Sequence, residues 1–364
     1  MHRRQERLKP RPLPLICGAG IICLLLPLVH PAIAAAAQES ARVPCDLLNS
    51  SSLRNSAQSA LEKHQYNVAV RQFQQALDAC PTQRGILLDL SQAHAGNRDF
   101  PQAIRAAQQF LESEPNSNRG RLALANAYFM AQRFSEARAE CHQVLKLDPH
   151  DSTALKLKGN IEYLMGEFEH AESTFVGLLD RHPDDEEAAY MLGRIYYMEG
   201  RVDYAIGQFQ RVLKINPQSY KAYDNLGLCY QARGETELAT RYFLTAIKMV
   251  EKDHPEYDWP YANLAELLLE NNDFEKAFAA ASKAADRNPY AARNFYLGAK
   301  ALFRLQKIDL CLNWLQRSVA LDSNYPEPLY LLSKVYSQLG QQEKANDMLE
   351  KFREVKARVP QTRR

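Results

Sequence analysis

The sequence predicts an all-α chain, a linear α-solenoid of paired helices, and three observations predict it. Prolines fall at Pro81, Pro115, Pro149, Pro183 and Pro217, successive steps of 34 residues. After one step of 38 to Pro255, the next, to Pro289, is again 34. Alanines keep the same interval at Ala69, Ala103, Ala137, Ala171, Ala205 and Ala239. Four residues beyond each stands Phe73, Ala107, Cys141, Phe175, Phe209 or Phe243. Composition agrees. Ala, Leu, Gln, Glu, Lys and Arg dominate, Gly is only 15 of 364 residues, and few stretches alternate apolar with polar side chains as a half-buried strand would. A fixed period of this size marks stacked units that share one continuous core.

The chain opens on a different kind of segment. Arg3, Arg4, Arg7, Lys9 and Arg11 precede an apolar stretch from Leu13 to Val29, followed by Pro31 and the run Ala34–Ala37. That order, basic then apolar then small, is a secretory signal. Residues 1–37 are read as a signal peptide cut after Ala37, which makes the mature protein exported and periplasmic. The alternative is an uncleaved segment that anchors the protein to the inner membrane. Pro14 and Pro27 interrupt the apolar core, which falls short of the roughly 20 residues a spanning helix needs. A twin-arginine signal is disfavoured by Glu6 and Arg7, and a lipoprotein signal by Ile16 and Ile22 ahead of Cys17 and Cys23. Residues 38–49 are read as a linker.

Each 34-residue period reads as two helices. In residues 186–219, Ala189, Leu192, Gly193 and Tyr196 mark one apolar face at helical spacing. A short turn at Glu199–Arg201 follows, and Ala205, Phe209, Val212 and Leu213 mark the face of a second helix. Pro217 then ends it, because the residue before a proline avoids the α region. Small residues such as Gly193 and Ala205 let two helix backbones approach closely, with Tyr196 and Phe209 filling the space beside them.

Residues 220–246 carry Tyr223, Leu226-Gly227, Tyr230, Ala239, Phe243 and Ala246. In that pattern the chain resembles the tetratricopeptide repeat family. Nine repeats are expected, beginning near residues 50, 84, 118, 152, 186, 220, 258, 291 and 326, so the array spans 50–359 and leaves 360–364 as a tail. The pattern is weakest at its ends. Ser56-Ala57 replaces Leu-Gly in the first repeat, and Asp322 and Ala357 replace the closing proline in the last two. The last helix, about Gln341–Arg358, sets Ala345, Leu349, Phe352 and Val355 on one face and polar residues on the other, which suits a cap. The resemblance implies a right-handed superhelix that binds peptide or protein segments in its concave groove.

Positions 4, 7, 8 and 11 of each first helix point to the core, so positions 2, 5, 6, 9, 12 and 13 are expected to line that groove. They bring forward Phe129, Tyr163, Tyr190, Tyr197, Trp259, Phe295, Tyr296 and Tyr330, with Met130, Leu164, Met191, Met198 and Phe303. The polar members are Lys156, Asn160, Arg194, Lys221, Asn225 and Asn263, with Asn126 and Lys334. Rigid aromatics with polar tips, mixed with Met, suit an extended protein segment. The competing reading packs these aromatics against the next repeat.

Chaperone-binding members of the family grip a peptide C-terminus with Lys and Asn in one repeat, Asn in the next, then Lys and Arg in a third. Lys156, Asn160 and Lys221 match that set. Met191 stands at the middle Asn, and Asn225 at the Arg, whose bidentate fork is lost. A second place of interest is the 38-residue step, where Glu251–Asp258 and Trp259-Pro260 insert about four residues, read either as a neutral loop or as a bend that shapes the groove around Trp259.

Five cysteines follow the signal segment. Cys45, ahead of the first helix, and Cys80, at the end of the second, form a possible disulfide that an oxidising compartment would permit. Cys141, Cys229 and Cys311 fall inside helices of separate repeats. The net charge of +2 divides into +4 on residues 1–37 and −2 on the rest, which offers no footprint for nucleic acid. There is no H-E-x-x-H, C-x-x-C, G-x-S-x-G, P-loop or G-x-G-x-x-G motif. The sequence therefore points to an exported interaction scaffold for envelope proteins. It is expected to use no cofactor, no metal and no small-molecule substrate, and to meet a membrane only through an uncleaved signal segment. Alternatives are an adaptor for peptide C-termini and an accessory of a polysaccharide-secretion or pilus system.

Overall fold

The computed structural model describes residues 45–358; the expected signal segment, the linker ahead of Cys45 and the 360–364 tail lie outside the described residues. Among the described residues the secondary structure is all helix, in nine antiparallel hairpins. The helices are α1 Leu47–Glu62 with α2 Tyr66–Ala79, α3 Ile86–Gly96 with α4 Phe100–Ser113, and α5 Asn118–Met130 with α6 Phe134–Leu147. Next come α7 Ser152–Leu164 with α8 Phe168–Arg181, α9 Glu186–Met198 with α10 Val202–Ile215, and α11 Tyr220–Ala232 with α12 Thr236–Asp253. The last are α13 Trp259–Glu270 with α14 Phe274–Arg287, α15 Ala292–Arg304 with α16 Ile308–Leu321, and α17 Pro326–Gln338 with α18 Gln342–Arg358. No described helix is long and apolar enough to cross a membrane.

Local chemistry sets the boundaries. Asp46, Ser117, Asp151 and Asp185 cap first helices, each side-chain oxygen accepting the N–H three residues on. Asp46 thereby starts the array at Leu47 rather than at residue 50. Each first helix ends on a left-handed residue: His64, Arg98, Gln132, Gly166, Gly200, Gly234, Asn272, Gln306 or Gly340, with φ between 58° and 77°. The next N–H then reaches back to the helix, as Arg201 N does to the Tyr196 carbonyl at 2.8 Å, and the chain reverses. Four second helices end in Asx turns. Asp148, Asn216, Asn288 and Asp322 accept the N–H two residues on, and Pro149, Pro217 and Pro289 follow the first three. This corrects one expectation: Asp322 is the cap, and Ser323 holds the proline's place.

The seam inside each hairpin is a size match. Gly159, Gly193, Gly227 and Gly298 face Phe175, Phe209, Phe243 and Trp314 on the second helix of the same repeat. A Cβ at Gly193 would lie 2.8 Å from the Phe209 ring, and one at Gly159 would lie 2.6 Å from Phe175. Elsewhere Ala125 opposes Cys141 and Ala265 opposes Ala281, all fully buried, so a slightly larger first partner accompanies a smaller second one. Repeat four departs from the apolar pattern in another way. Lys158 and Glu162 stand where Leu192 and Tyr196 stand in the next repeat, paired at 2.7 Å, with the Thr174 hydroxyl donating to Glu162.

The 38-residue step is not a loop insertion. Helix α12 is 18 residues long where α10 is 14, so the four extra residues are one more helical turn. Residues 254–258 then return the chain to α13. Arg287 holds the overhang, donating to the carbonyls of Val250, Glu251 and His254.

At the N-terminus Cys45 and Cys80 are joined by a disulfide, and Asp46 N donates to the Ala79 carbonyl beside it. Cys141, Cys229 and Cys311 are buried, and desolvation pushes each thiol up to about 12, so none is a ready nucleophile.

Candidate peptide-binding groove

Which face is concave follows from neighbours. Every first helix touches the first helix of the next repeat, whereas no second helix comes within 8 Å of another second helix. The odd-numbered helices therefore form the shorter, inner wall, and their solvent-side positions line the groove.

On that wall the tyrosines are tied across repeats. Arg194 of α9 donates to the Tyr163 hydroxyl at 2.9 Å, its guanidinium 4.9 Å from the centre of that ring. Asn225 of α11 donates to the Tyr190 hydroxyl at 3.2 Å, and Tyr190 leans on Phe209. Burial pushes the Tyr190 and Tyr197 hydroxyls up from their ordinary range. Trp259, at the start of α13, stays 52% exposed with the Arg293 guanidinium 5.5 Å from its ring centre.

Part of this wall borders a pocket of about 280 Å³ between α9, α11 and α13. Tyr190, Arg194, Asn225, Trp259 and Asn263 line it, joined by Asp224, Leu228 and Tyr257. Sequence reading missed the last three. Asp224 occupies a groove position of the same period, and the long step pointed to the place where Tyr257 enters.

Asp224 is 3% exposed, and burial pushes its carboxyl up to about 7, against the amide of Asn263 and the charge of Arg293, which lower it. Asn263 donates to Asp224 at 2.9 Å and accepts from Arg293 at 3.0 Å, while Arg293 also binds Glu266 at 2.6 Å. Asn263 is thus a buried member of the wall rather than an exposed groove residue. Asp258 is buried too, taking the amides of Asn294 and Asn288.

The other expected groove residues divide. Tyr330 is 43% exposed, between Phe352 and the Lys334 ammonium, and Met130, Leu164 and Met198 are exposed at the groove's edge. Phe129 lies half-buried on Phe134, and Tyr296 sits edge-on to Tyr325 with its hydroxyl pushed up to about 12 by burial. Phe295 leans on Trp314, inside its own hairpin. Packing against neighbours therefore takes part of the aromatic stripe.

The residues resembling a C-terminus clamp are engaged within the chain. Lys156 pairs with Asp185 at 3.2 Å and Glu187 at 3.4 Å, and Asn160 donates to Glu187. Met191 is buried, and Asn225 is held by Tyr190 and the Lys221 carbonyl, leaving Lys221 exposed. A ligand carboxylate would have to displace two carboxylates already present at Lys156.

Comparison with known proteins agrees with this architecture. One tetratricopeptide repeat model matches residues 88–152 and 156–220, and a second matches 219–288. No curated protein matches the chain. Among solved structures, a tetratricopeptide repeat protein from Parabacteroides merdae is 18% identical, covering 74% of this chain and 98% of its own, with a TM-score of 0.56. Yeast Tom70 is 13% identical over 85% of this chain and 92% of its own, with a TM-score of 0.46. MamA from Desulfovibrio magneticus is 19% identical over 47% of this chain and 97% of its own, with a TM-score of 0.42. At these identities the likeness is one of fold.

Proposed function

Because this chain belongs to the tetratricopeptide repeat family, an all-α solenoid of protein–protein interaction scaffolds, we propose that it binds an extended protein segment along the inner wall of repeats four to seven and so assembles an envelope complex. One observation carries the reading. Tyr190, Arg194, Asn225 and Trp259, from three successive repeats, are held in fixed orientations by bonds and packing among themselves and with Tyr163, Phe209 and Arg293, and border one pocket. Aromatics held in place before binding lose little entropy when a partner arrives. The repeats fill the described chain with apolar seams, which supports a binding rather than a catalytic role. Capture of a partner by the mature protein tests this. Tyr197→Ala and Trp259→Ala should each lower recovery, and undiminished recovery by folded variants would defeat it.

For location, the proposal is export to the periplasm, supported by the basic-then-apolar order of residues 1–37 and by the bond between Cys45 and Cys80, which an oxidising compartment maintains. Mass spectrometry of the protein from cell fractions tests it: a chain beginning near Gln38 in the periplasmic fraction is expected, and a full-length chain in the membrane fraction favours the anchored form. Recognition of a free peptide C-terminus is disfavoured by the carboxylates on Lys156.

A further inference from the structure

Most charged groups set into the groove wall are held by ion pairs or hydrogen bonds within the chain, and Asp224 keeps one oxygen unbonded. Arg194 is held by Tyr163, Arg293 by Glu266 and Asn263, and Asp258 by Asn288 and Asn294. Lys156 lies between Asp185 and Glu187. Asp224 receives only the Asn263 amide on one oxygen; among the described residues nothing bonds the other, and no cation pairs with it. Asp224 lines the pocket although the residue is buried. A carboxylate taken from water without a countercharge is costly, and a cation brought to it recovers much of that cost.

The rest of the pocket completes a site for such a cation. Trp259 and Tyr257 supply aromatic surface and Leu228 an apolar wall, while about 280 Å³ admits one long side chain. The chain uses the same chemistry on itself, setting guanidinium groups over Trp259 and Tyr163. Tyr257 enters only because α12 carries an extra turn, so the pocket belongs to the one junction that breaks the period.

Resting on the groove as the contact surface, we propose that the pocket between α9, α11 and α13 takes an arginine side chain of the bound segment, its guanidinium on Asp224 and its stem along Leu228 and Trp259. The groups facing Asp224 are Tyr190 and Arg194 of α9, Tyr257 and Asp258 of the connection, Asn263 of α13 and Arg293 of α15. Burial sets the Asp224 carboxyl at about 7, so a bound cation draws its proton off and affinity rises with pH between 6 and 8.

The test is calorimetric titration of the mature protein with the tripeptide acetyl-Ala-Arg-Ala-amide and with the same peptide carrying citrulline, which has arginine's shape and no charge. The arginine peptide should bind about tenfold more tightly. Asp224→Asn, which keeps the Asn263 contact, should erase that difference and its pH dependence. Equal affinity for the two peptides, or an arginine preference that survives in a folded Asp224→Asn protein, would overturn the assignment. The outcomes separate it from the groove reading. Partner capture that falls in Tyr197→Ala but is indifferent to Asp224→Asn, with no arginine preference, sinks the pocket alone. Arginine selectivity with capture untouched by Tyr197→Ala and Trp259→Ala sinks the groove alone.

Discussion

Repeats four to six and the junction between repeats six and seven solve one problem with opposite chemistry. In the regular stretch a glycine on the first helix receives a phenylalanine from the second, and the seam is mostly apolar, with the Lys158–Glu162 pair of repeat four its polar exception. At the junction, where α12 runs one turn long, the seam is polar. Asp224, Asn263, Arg293 and Glu266 form one chain of bonds, Asp258 with Asn288 and Asn294 another, and Arg287 caps the overhang. Apolar seams are non-directional and repeatable, so they suit a stack whose units differ little. Polar seams hold only with every partner in place, which fixes one geometry and leaves charge at the groove.

The largest effect is expected in the regular seam. Phe209→Ala empties a fully buried site and should cost about 3–5 kcal/mol in urea unfolding. Gly193→Ala alone should be destabilising by about 1–3 kcal/mol, and less so when Phe209 is also shortened to Leu, because the two share one space. Additive losses in that double variant would break the size-match account.

A smaller effect is expected at the junction. Arg287→Ala strips three carbonyls at the end of α12 of a charged donor and should lose about 2 kcal/mol, with hydrogen exchange rising in residues 250–258 before the regular repeats. Uniform exchange along the array would mean the junction is no weaker than its neighbours.

The remaining effect is a pH dependence, a slope in stability and not a single loss. Burial raises the Asp224 carboxyl in the folded chain to about 7, well above its unfolded value. The folded state thus holds a proton that the unfolded chain releases, and stability falls as pH rises from about 4 through 7. Asp224→Asn should flatten that slope in thermal unfolding between pH 5 and 8; an unchanged slope would place the titration elsewhere.

The fold was legible because it is written in repetition. Thirty-four-residue spacing of Pro149, Pro183 and Pro217, with Gly193 set against Phe209, needs no tertiary information: a helical period and a size match are local facts that recur until chance is excluded. Groove positions were legible only in part: Tyr163, Tyr190, Arg194 and Trp259 lie on first helices of the inner wall, whereas Asn263 and Met191 are buried and Phe295 packs inside its own hairpin. The reading failed where a residue's state depends on what another repeat brings to it. Asn263 and Asn160 look alike in sequence, yet one is sealed between Asp224 and Arg293 and the other reaches Glu187.

Lys156 reads from the sequence as a groove cation, whereas Asp185 and Glu187 stand against it, and the four residues of the long step read as an insertion between repeats, whereas they extend α12 by a turn. Period and composition depend on the chain alone and so determine the solenoid. Burial, pairing and the charge left over at Asp224 depend on groups 27 to 39 positions apart meeting across a stacked seam, and only the folded array brings them together.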